Sequence, residues 1–212
     1  MKLSPFKHRK GFTLIEIMVV IAILALLGAT TMYVMSSMDE KKLTTTAKTQ
    51  VGALSLALEA YMADGYQLED GYGDDGSSNA LYRMISGDKD NDGEPDRIGS
   101  GRDSQPARVY CSELVILRNS KDAVADGIPV MRAEARIRTG RKSVRKKCLL
   151  IVDPWGNPYR YCLGFEQKDS EGRHGTGNNP TFDIFSQGPD AKGDGKNNVG
   201  DNADNITNIP GW

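Results

Sequence analysis

The chain has few of the residues that build catalytic or metal-binding centres. Its 212 residues include two histidines and three cysteines, and aromatic residues make up 7% of them. The cysteines are not closely paired in sequence, so they lack the ligand pattern of a zinc site. Neither serine, histidine and aspartate nor cysteine and histidine occur in an arrangement typical of nucleophilic catalysis. These absences predict a protein that is not an enzyme.

The chain also lacks an excess of charge of either sign. It carries 27 lysines and arginines against 28 aspartates and glutamates, with 39% hydrophobic residues. A balance of this kind indicates neither a disordered protein nor a nucleic-acid-binding one. The length suits one ordinary domain plus an anchor, so we expect a single globular core.

Sustained hydrophobicity is confined to residues 12–35, where Glu16 is the only charged residue. As an α-helix this segment would be about 36 Å long, which is enough to cross a bilayer. The preceding residues 1–11 carry four lysines and arginines, so the positive-inside rule keeps them in the cytoplasm. The sequence therefore predicts one membrane pass with the rest of the chain on the other side. An ordinary secretory signal peptide is the alternative.

Glu16 is an unusual residue for a membrane helix. A carboxylate near the start of such a helix costs about 3 kcal/mol on insertion scales, so it needs a partner. Cleavage after Gly11 would create an ammonium at Phe12, one helical turn from Glu16. In an assembly, Glu16 of one subunit would pair with the Phe12 amine of the next. The simpler alternative is that Glu16 extends to the membrane interface.

Residues 10–21 resemble the processing and assembly motif of the type IV pilin and type II secretion pseudopilin superfamily. They read Lys-Gly-Phe-Thr-Leu-Ile-Glu-Ile-Met-Val-Val-Ile. The resemblance implies that a prepilin peptidase cuts between Gly11 and Phe12 and that the new N-terminal Phe12 is methylated. It also implies that Glu16 is the assembly glutamate of the family.

Beyond the apolar segment, the sequence keeps a helical pattern up to Met62, because apolar residues recur at three- and four-residue steps. One helix is predicted from Phe12 to Ala63, and Asp64-Gly65 would end it. Its apolar stripe requires other elements to cover it. The stripe consists of Leu43, Ala47, Val51, Leu54, Leu58 and Tyr61.

Residues 65–107 are rich in glycine, aspartate and serine and are predicted to form a long loop insertion. Within them, aspartates alternate from Asp88 and a glycine stands at the sixth position, a spacing that suits Ca²⁺. Gly99 occupies the twelfth position, where an EF-hand needs glutamate. A looser second calcium site is one interpretation, and a solvated acidic turn is the other. Its candidate ligands are Asp88, Asp90, Asp92 and Asp96.

Residues 108–212 are predicted to form a β-sheet region that includes a basic stretch, residues 132–147. This stretch holds eight lysines and arginines but no aromatic residue that could stack on bases. A solvated face is the favoured interpretation, and no nucleic acid is expected as a partner.

Three cysteines, Cys111, Cys148 and Cys162, would lie in an oxidising compartment where one pair can form a disulfide. Spacing alone does not decide the pairing. The Cys148–Cys162 pair is attractive because residues 153–158 form a turn between two β-like segments, which predicts a hairpin.

Two further segments are similar to the major pseudopilins of type II secretion. One is Asp-Pro-Trp-Gly-Asn-Pro-Tyr-Arg-Tyr at residues 153–161, and the other leads from residues 182–190 into the loop at 200–206. The second resemblance implies a structural Ca²⁺ in the C-terminal loop, and aspartates and backbone carbonyls are ligands that Ca²⁺ accepts. A flexible polar tail is the alternative. The implied ligands are the side chains of Asp190, Asp201 and Asp204 and the carbonyls of Gln187 and Val199.

The resemblances together imply an α+β pilin-like fold, with a long N-terminal helix packed on a small antiparallel β-sheet and calcium-ordered loops. They imply a subunit of a homo-oligomeric helical fibre that works with other pseudopilins, prepilin peptidase and an inner-membrane assembly platform to export folded proteins. A type IV pilin of a surface fibre for adhesion, motility or DNA uptake is the alternative. The predicted divisions are a cleaved leader at 1–11, a transmembrane half-helix at 12–35, a periplasmic half-helix at 36–64, the insertion at 65–107 and the sheet region with its calcium loop at 108–212.

Overall fold

A computed structural model of the chain describes residues 12–69, 74–99, 104–118, 126–139, 142–167, 177–192 and 204–209. Within these ranges, the side chains of residues 29–38, 74–76, 137–139 and 142–143 are not described. The chain divides into two compact units, Met1–Lys42 and Leu43–Trp212. The second unit contains every residue of the hydrophobic core.

The first helix, α1, spans Leu14–Ala63 and begins at a capping box. The N–H of Glu16 donates to Oγ1 of Thr13 at 3.4 Å, and the N–H of Thr13 donates to Oε2 of Glu16 at 2.7 Å. A threonine N-cap with glutamate three residues later satisfies both N–H groups reciprocally. The sequence predicts a start at Phe12, and the helix begins two residues later because Thr13 caps it.

The predicted end of α1 at Ala63 is confirmed, and Gly65 ends it. Gly65 has a φ of +85°, and its N–H donates to the carbonyl oxygen of Met62 at 2.9 Å. Glycine enters this left-handed region without the steric cost of a side chain.

Within Met1–Lys42, the side chains from Phe12 to Gly28 are all exposed. They include large apolar groups such as Leu14, of which 79% is exposed. In the described part of the chain, no helix is both long enough and apolar enough to count as a membrane span. The predicted span at 12–35 includes residues 29–35, whose side chains lie outside that description.

Within Leu43–Trp212, α1 buries most of the stripe that the sequence predicts. Ala47, Val51, Leu54, Leu58 and Tyr61 are all buried in the hydrophobic core. Leu54 and Leu58 have no exposed surface, and full burial of such a side chain contributes about 2 kcal/mol. This half of α1 is therefore held by the core of the second unit.

The predicted loop at 65–107 is wrong in part, because it contains a second helix, α2, at Asp74–Ser86. Its small polar side chains are buried and bond to strand backbones. Oγ of Ser78 donates to the carbonyl of Ile151 at 2.8 Å, and Nδ2 of Asn79 donates to that of Leu149 at 2.9 Å. The residues that resemble a loop in sequence thus attach a helix closely to the sheet.

In the described part of the chain, eight strands form three small sheets instead of one. The strands are β1 Arg97–Ile98, β2 Gln105–Pro106, β3 Leu114–Ile116, β4 Ile128–Thr139, β5 Lys142–Ile151, β6 Arg160–Leu163, β7 Phe182–Ser186 and β8 Ile206–Thr207. In the largest sheet, β3 runs parallel to β4 and β4 runs antiparallel to β5. The other two sheets are antiparallel, with the orders β1-β2 and β6-β7-β8.

The predicted hairpin around residues 153–158 forms only at its closed end. Val152 and Pro158 make an isolated antiparallel bridge, and the N–H of Tyr159 donates to the carbonyl of Ile151 at 2.9 Å. Beyond this bridge the two strands separate, because β5 pairs with β4 and β6 pairs with β7. The turn therefore connects two different sheets.

Candidate functional site

The N-terminal motif places Glu16 beside Thr13. Oε2 of Glu16 accepts hydrogen bonds from both the N–H and the hydroxyl of Thr13, the latter at 2.9 Å. Phe12 precedes the helix and is 82% exposed, whereas Gly11 lies outside the described residues. Sequence reasoning did not single out Thr13, although threonine followed three residues later by glutamate is a recognised capping signal.

The acidic loop, residues 88–96, brings three of its four predicted ligands together. Carboxylate oxygens of Asp88, Asp90 and Asp92 all lie within 4.8 Å of one another. Asp88 is buried, whereas Asp90 and Asp92 are exposed. Asp96 instead accepts a hydrogen bond from the N–H of Lys89 at 2.6 Å. Three carboxylates at this separation are a donor set of the kind that Ca²⁺ accepts.

Within this loop, the carboxylate of Asp88 is fixed by three hydrogen bonds. Its Oδ2 accepts hydrogen bonds from the hydroxyl of Tyr82 and the N–H of Gly93, both at 2.8 Å, and its Oδ1 accepts from the N–H of Asn91 at 2.7 Å. Burial raises the pKa of Tyr82, and the hydrogen bond to Asp88 makes the next largest contribution to this rise. The phenol therefore stays protonated and keeps donating.

Asn91 attaches the acidic loop to the core, and sequence reasoning missed it. Its side-chain oxygen accepts hydrogen bonds from Nδ2 of Asn79 at 2.6 Å and from the N–H of Leu149 at 3.0 Å. Its φ is +65°, a left-handed conformation that asparagine adopts more readily than most residues. Only the tertiary structure places α2 and β5 beside this loop.

The C-terminal loop is described only in part, since Asp201 and Val199 lie outside the described residues. Asp204 lies against Gly188: a Cβ added to this glycine would come within 2.7 Å of both the carbonyl oxygen and Oδ2 of Asp204. Gly188 also has a φ of +70°, so two independent constraints require glycine here. The carboxylate of Asp204 therefore lies beside Gly188, two residues beyond the end of β7.

The other candidate ligands of this loop have local partners. Oδ1 of the exposed Asp190 accepts a hydrogen bond from the N–H of Lys192 at 2.8 Å. The side-chain oxygen of Gln187 accepts from Nη2 of Arg160 at 2.9 Å, so this side chain points to β6. The sequence predicts that Gln187 binds calcium through its backbone carbonyl. The position of the side chain does not test that prediction.

A buried carboxylate connects the turn at 153–158 to the C-terminal loop. Oδ1 of Asp153 accepts from the N–H groups of Trp155 at 3.0 Å and Asn157 at 2.8 Å, and its Oδ2 accepts from the hydroxyl of Ser186 at 2.5 Å. Nδ2 of Asn157 donates to the carbonyl of Gly188 at 2.9 Å. The two segments that resemble pseudopilins therefore touch each other.

Burial raises the pKa of Asp153, and the hydrogen bond from Ser186 is the largest of the effects that oppose this rise. Three donors surround this buried carboxyl, and two of them are backbone N–H groups of the turn. By accepting these hydrogen bonds, the carboxyl of Asp153 holds the backbone of the turn.

The predicted Cys148–Cys162 disulfide is not formed, and all three cysteines are thiols. Cys148 lies in β5 opposite Ala133, whereas Cys162 lies in β6 opposite Asp183. The two strands belong to different sheets, which is why the hairpin argument fails for them. Burial, with a smaller effect of Asp183, raises the pKa of Cys162 to about 12.

Known proteins resemble this chain in its N-terminal motif and along most of its length. The family described as the prokaryotic N-terminal methylation motif matches residues 6–32. Type II secretion system core protein G of Pseudomonas aeruginosa is 29% identical over 196 residues, which cover 92% of this chain and 94% of that protein. No solved structure matches the chain. The resemblance drawn from residues 10–21 is confirmed: the chain carries the N-terminal methylation motif and is similar to type II secretion system core protein G along most of its length.

Proposed function

We propose that this chain is a structural subunit of a periplasmic pseudopilus that drives type II secretion of folded proteins. The observation that carries the proposal is the methylation motif at residues 6–32, together with similarity to core protein G along nearly the whole of both chains. A likeness of this extent favours the secretion fibre over the alternative, a pilin of a surface fibre.

Cleavage by prepilin peptidase makes the membrane-anchored subunit available for assembly. The segment at 12–35 holds the chain in the inner membrane with the C-terminal part in the periplasm, and prepilin peptidase cleaves between Gly11 and Phe12. The new N-terminus is then methylated. Phe12 precedes the helix, and its side chain is exposed.

The carboxylate of Glu16 can then make two kinds of interaction, one through each of its oxygens. The hydrogen bonds from Thr13 both reach Oε2, which leaves Oε1 to accept from the Phe12 ammonium of the next subunit. This ion pair would form in an apolar environment, where charges interact more strongly than in water. One such pair at every subunit sets the register of a helical fibre, because a head-to-tail contact that does not close repeats indefinitely.

Two loops suit Ca²⁺ as a structural ion. In the acidic loop, Asp88, Asp90 and Asp92 would hold it, and in the C-terminal loop Asp204 would do so with Asp190, Asp201 and the carbonyls of Gln187 and Val199. Bound calcium supplies positive charge that offsets the repulsion between neighbouring carboxylates. Ordered loops of this kind present a fixed surface to the neighbouring subunits, to other pseudopilins and to the assembly platform.

Calcium is expected to raise the thermal unfolding midpoint of the full chain in detergent by roughly 5–10 °C over the midpoint in EGTA, since ligand at about a hundred times its Kd stabilises by about 2.7 kcal/mol. Asp201→Ala with Asp204→Ala removes the C-terminal share of this rise, and Asp90→Ala with Asp92→Ala removes the share of the acidic loop. Asp126→Ala, an exposed carboxylate outside both loops, is the matched control. An unchanged midpoint at millimolar calcium would show that neither loop binds it.

Deletion of the gene for this chain is expected to stop export of type II substrates in the organism that carries it, with surface pili and twitching motility unchanged. The expected loss is large, because a fibre without its subunit does not form. Secreted enzyme activity in culture medium measures it, with the intact gene restored as the control. Normal export combined with lost surface pili would instead assign the chain to the alternative fibre.

A further inference from the structure

Four basic residues of the hairpin formed by β4 and β5 lie on one face, whereas Lys146, opposite Ala135, lies on the other. By strand register, Arg132, Glu134 and Arg136 of β4 lie opposite Leu149, Lys147 and Arg145 of β5. Nearer the core, the same face presents Val130 and Ile151, which are buried. The face therefore changes from apolar to charged as the hairpin leaves the core. We call Arg132, Arg136, Arg145 and Lys147 the basic hairpin face, and all four are exposed.

Within the described residues, two neighbours partly compensate the cations of this face: Glu134 lies opposite Lys147, and Nη2 of Arg132 donates to the carbonyl oxygen of Asp92 at 3.2 Å. Arg136 and Arg145 are directly opposite, and like charges at such positions destabilise a β-hairpin. Described ion pairs join Arg83 to Glu69 and Arg108 to Asp64, and neither pair includes this face. Such an arrangement is unfavourable within one molecule and becomes favourable when an anionic surface covers it.

The charge of the chain is strongly segregated. Beyond residue 11 the chain has 23 lysines and arginines, four fewer than the full count of 27, and all 28 acidic residues. Residues 132–147 hold eight of these cations and only Glu134 among the anions, a net charge of +7. The other residues beyond 11 then carry 15 cations against 27 anions, a net charge of −12. Each copy thus offers both a basic hairpin and an acidic remainder.

We propose that the basic hairpin face docks on the acidic surface of a second copy of this chain, and so forms a lateral contact in the fibre. The inference rests on the proposed function, since it names how copies recognise each other. A basic patch that meets a different, acidic patch on the next copy is a heterologous contact, the kind that builds helical filaments. Complementary charge also steers copies together before close packing begins.

Other anionic partners fit the face less well. Sequence-independent binders of single-stranded nucleic acid place aromatic side chains among their cations, and residues 132–147 contain none. A membrane-surface site combines cations with exposed apolar groups that enter the lipid. On the described part of this face, the positions beyond Val130 and Leu149 are all charged.

The test uses the processed full chain, purified in detergent and assembled by detergent removal. The critical concentration for sedimentable fibres is measured in wild type and in Arg136→Glu with Arg145→Glu. We expect the reversed pair to raise it by about tenfold or more, and wild-type assembly to weaken as NaCl rises to about 0.5 M, where charges are screened within several ångströms. Two variants serve as controls. Arg136→Lys with Arg145→Lys keeps the charge, and Lys48→Glu with Arg118→Glu makes the same net change at exposed sites outside the hairpin and outside both candidate calcium loops.

The outcomes separate this inference from the proposed function. If wild type forms no fibres, both fail. If wild type assembles and the reversed pair assembles equally well, or the Lys48 and Arg118 control is equally impaired, only the docking inference fails. Circular dichroism checks that each variant is folded, and Arg136→Gln with Arg145→Gln replaces the reversed pair if that pair does not fold. Hairpin-dependent binding to phosphatidylglycerol vesicles without an effect on assembly would assign the face to lipid and overturn the inference.

Discussion

Replacing Glu16 with alanine is expected to abolish fibre assembly while the chain is still inserted in the membrane and cleaved after Gly11. The substitution removes the carboxylate that would pair with the Phe12 ammonium of the next subunit. It also removes one half of the capping box with Thr13, which costs about 1 kcal/mol of helix stability. Sedimentation of assembled fibres measures the loss, and the mass of the processed chain confirms cleavage.

Glu16→Gln separates these two roles, because glutamine at this position still completes a capping box but carries no charge. If the intersubunit ion pair drives assembly, the glutamine variant fails as completely as the alanine variant. Thr13→Ala makes the opposite change, since it removes the N-cap hydroxyl and keeps the carboxylate. Normal assembly of Glu16→Gln would contradict the ion pair and leave helix capping as the role of Glu16.

Asp153→Ala is expected to lower the free energy of unfolding by about 3 kcal/mol, which corresponds to a fall of roughly 6–12 °C in the thermal midpoint. The loss arises because the N–H groups of Trp155 and Asn157 and the hydroxyl of Ser186 lose their acceptor in a buried place. The calcium-dependent rise in midpoint should also shrink, since Asn157 holds the carbonyl of Gly188 beside Asp204. Thermal denaturation with calcium and with EGTA measures both effects.

The raised pKa of Asp153 adds a pH dependence to this comparison. The folded carboxyl holds its proton more tightly than the unfolded one, so its contribution to the free energy of unfolding falls as pH rises from the ordinary value of 3.8 through the raised pKa. The alanine variant lacks this slope. Asp126→Ala, which removes an exposed carboxylate, should leave the midpoint unchanged. A loss below about 1 kcal/mol in Asp153→Ala would mean that the turn does not depend on this carboxylate.

Much of the long helix could be predicted from sequence, because its signals are local. The three- and four-residue spacing of Ala47, Val51, Leu54 and Leu58 predicts which face is buried, and Gly65 predicts the end. The acidic loop was also foreseeable, since alternating aspartates with a glycine at the sixth position bring their side chains together in a turn. In each case the residues that interact lie within a few positions of one another.

Sequence reasoning failed where a residue's role depends on a distant partner. Ser78 and Asn79 are typical of loops, yet they lie in α2 because strand carbonyls at Ile151 and Leu149 accept their hydrogen bonds. The same limit applies to Cys148 and Cys162. They flank one turn in the sequence but lie in strands of two different sheets.

By itself, the sequence determined which proteins this chain resembles, because the basic residues before Gly11, the apolar segment with Glu16 and the motif at residues 10–21 are linear features that need no folded domain. Only the tertiary structure decided that α2 covers the sheet, that Asp153 joins the turn to Gly188, and that Arg132, Arg136, Arg145 and Lys147 share one face of a hairpin. The physical reason is that strand pairing and buried hydrogen bonds join residues far apart in the chain, and local propensity carries no information about those partners.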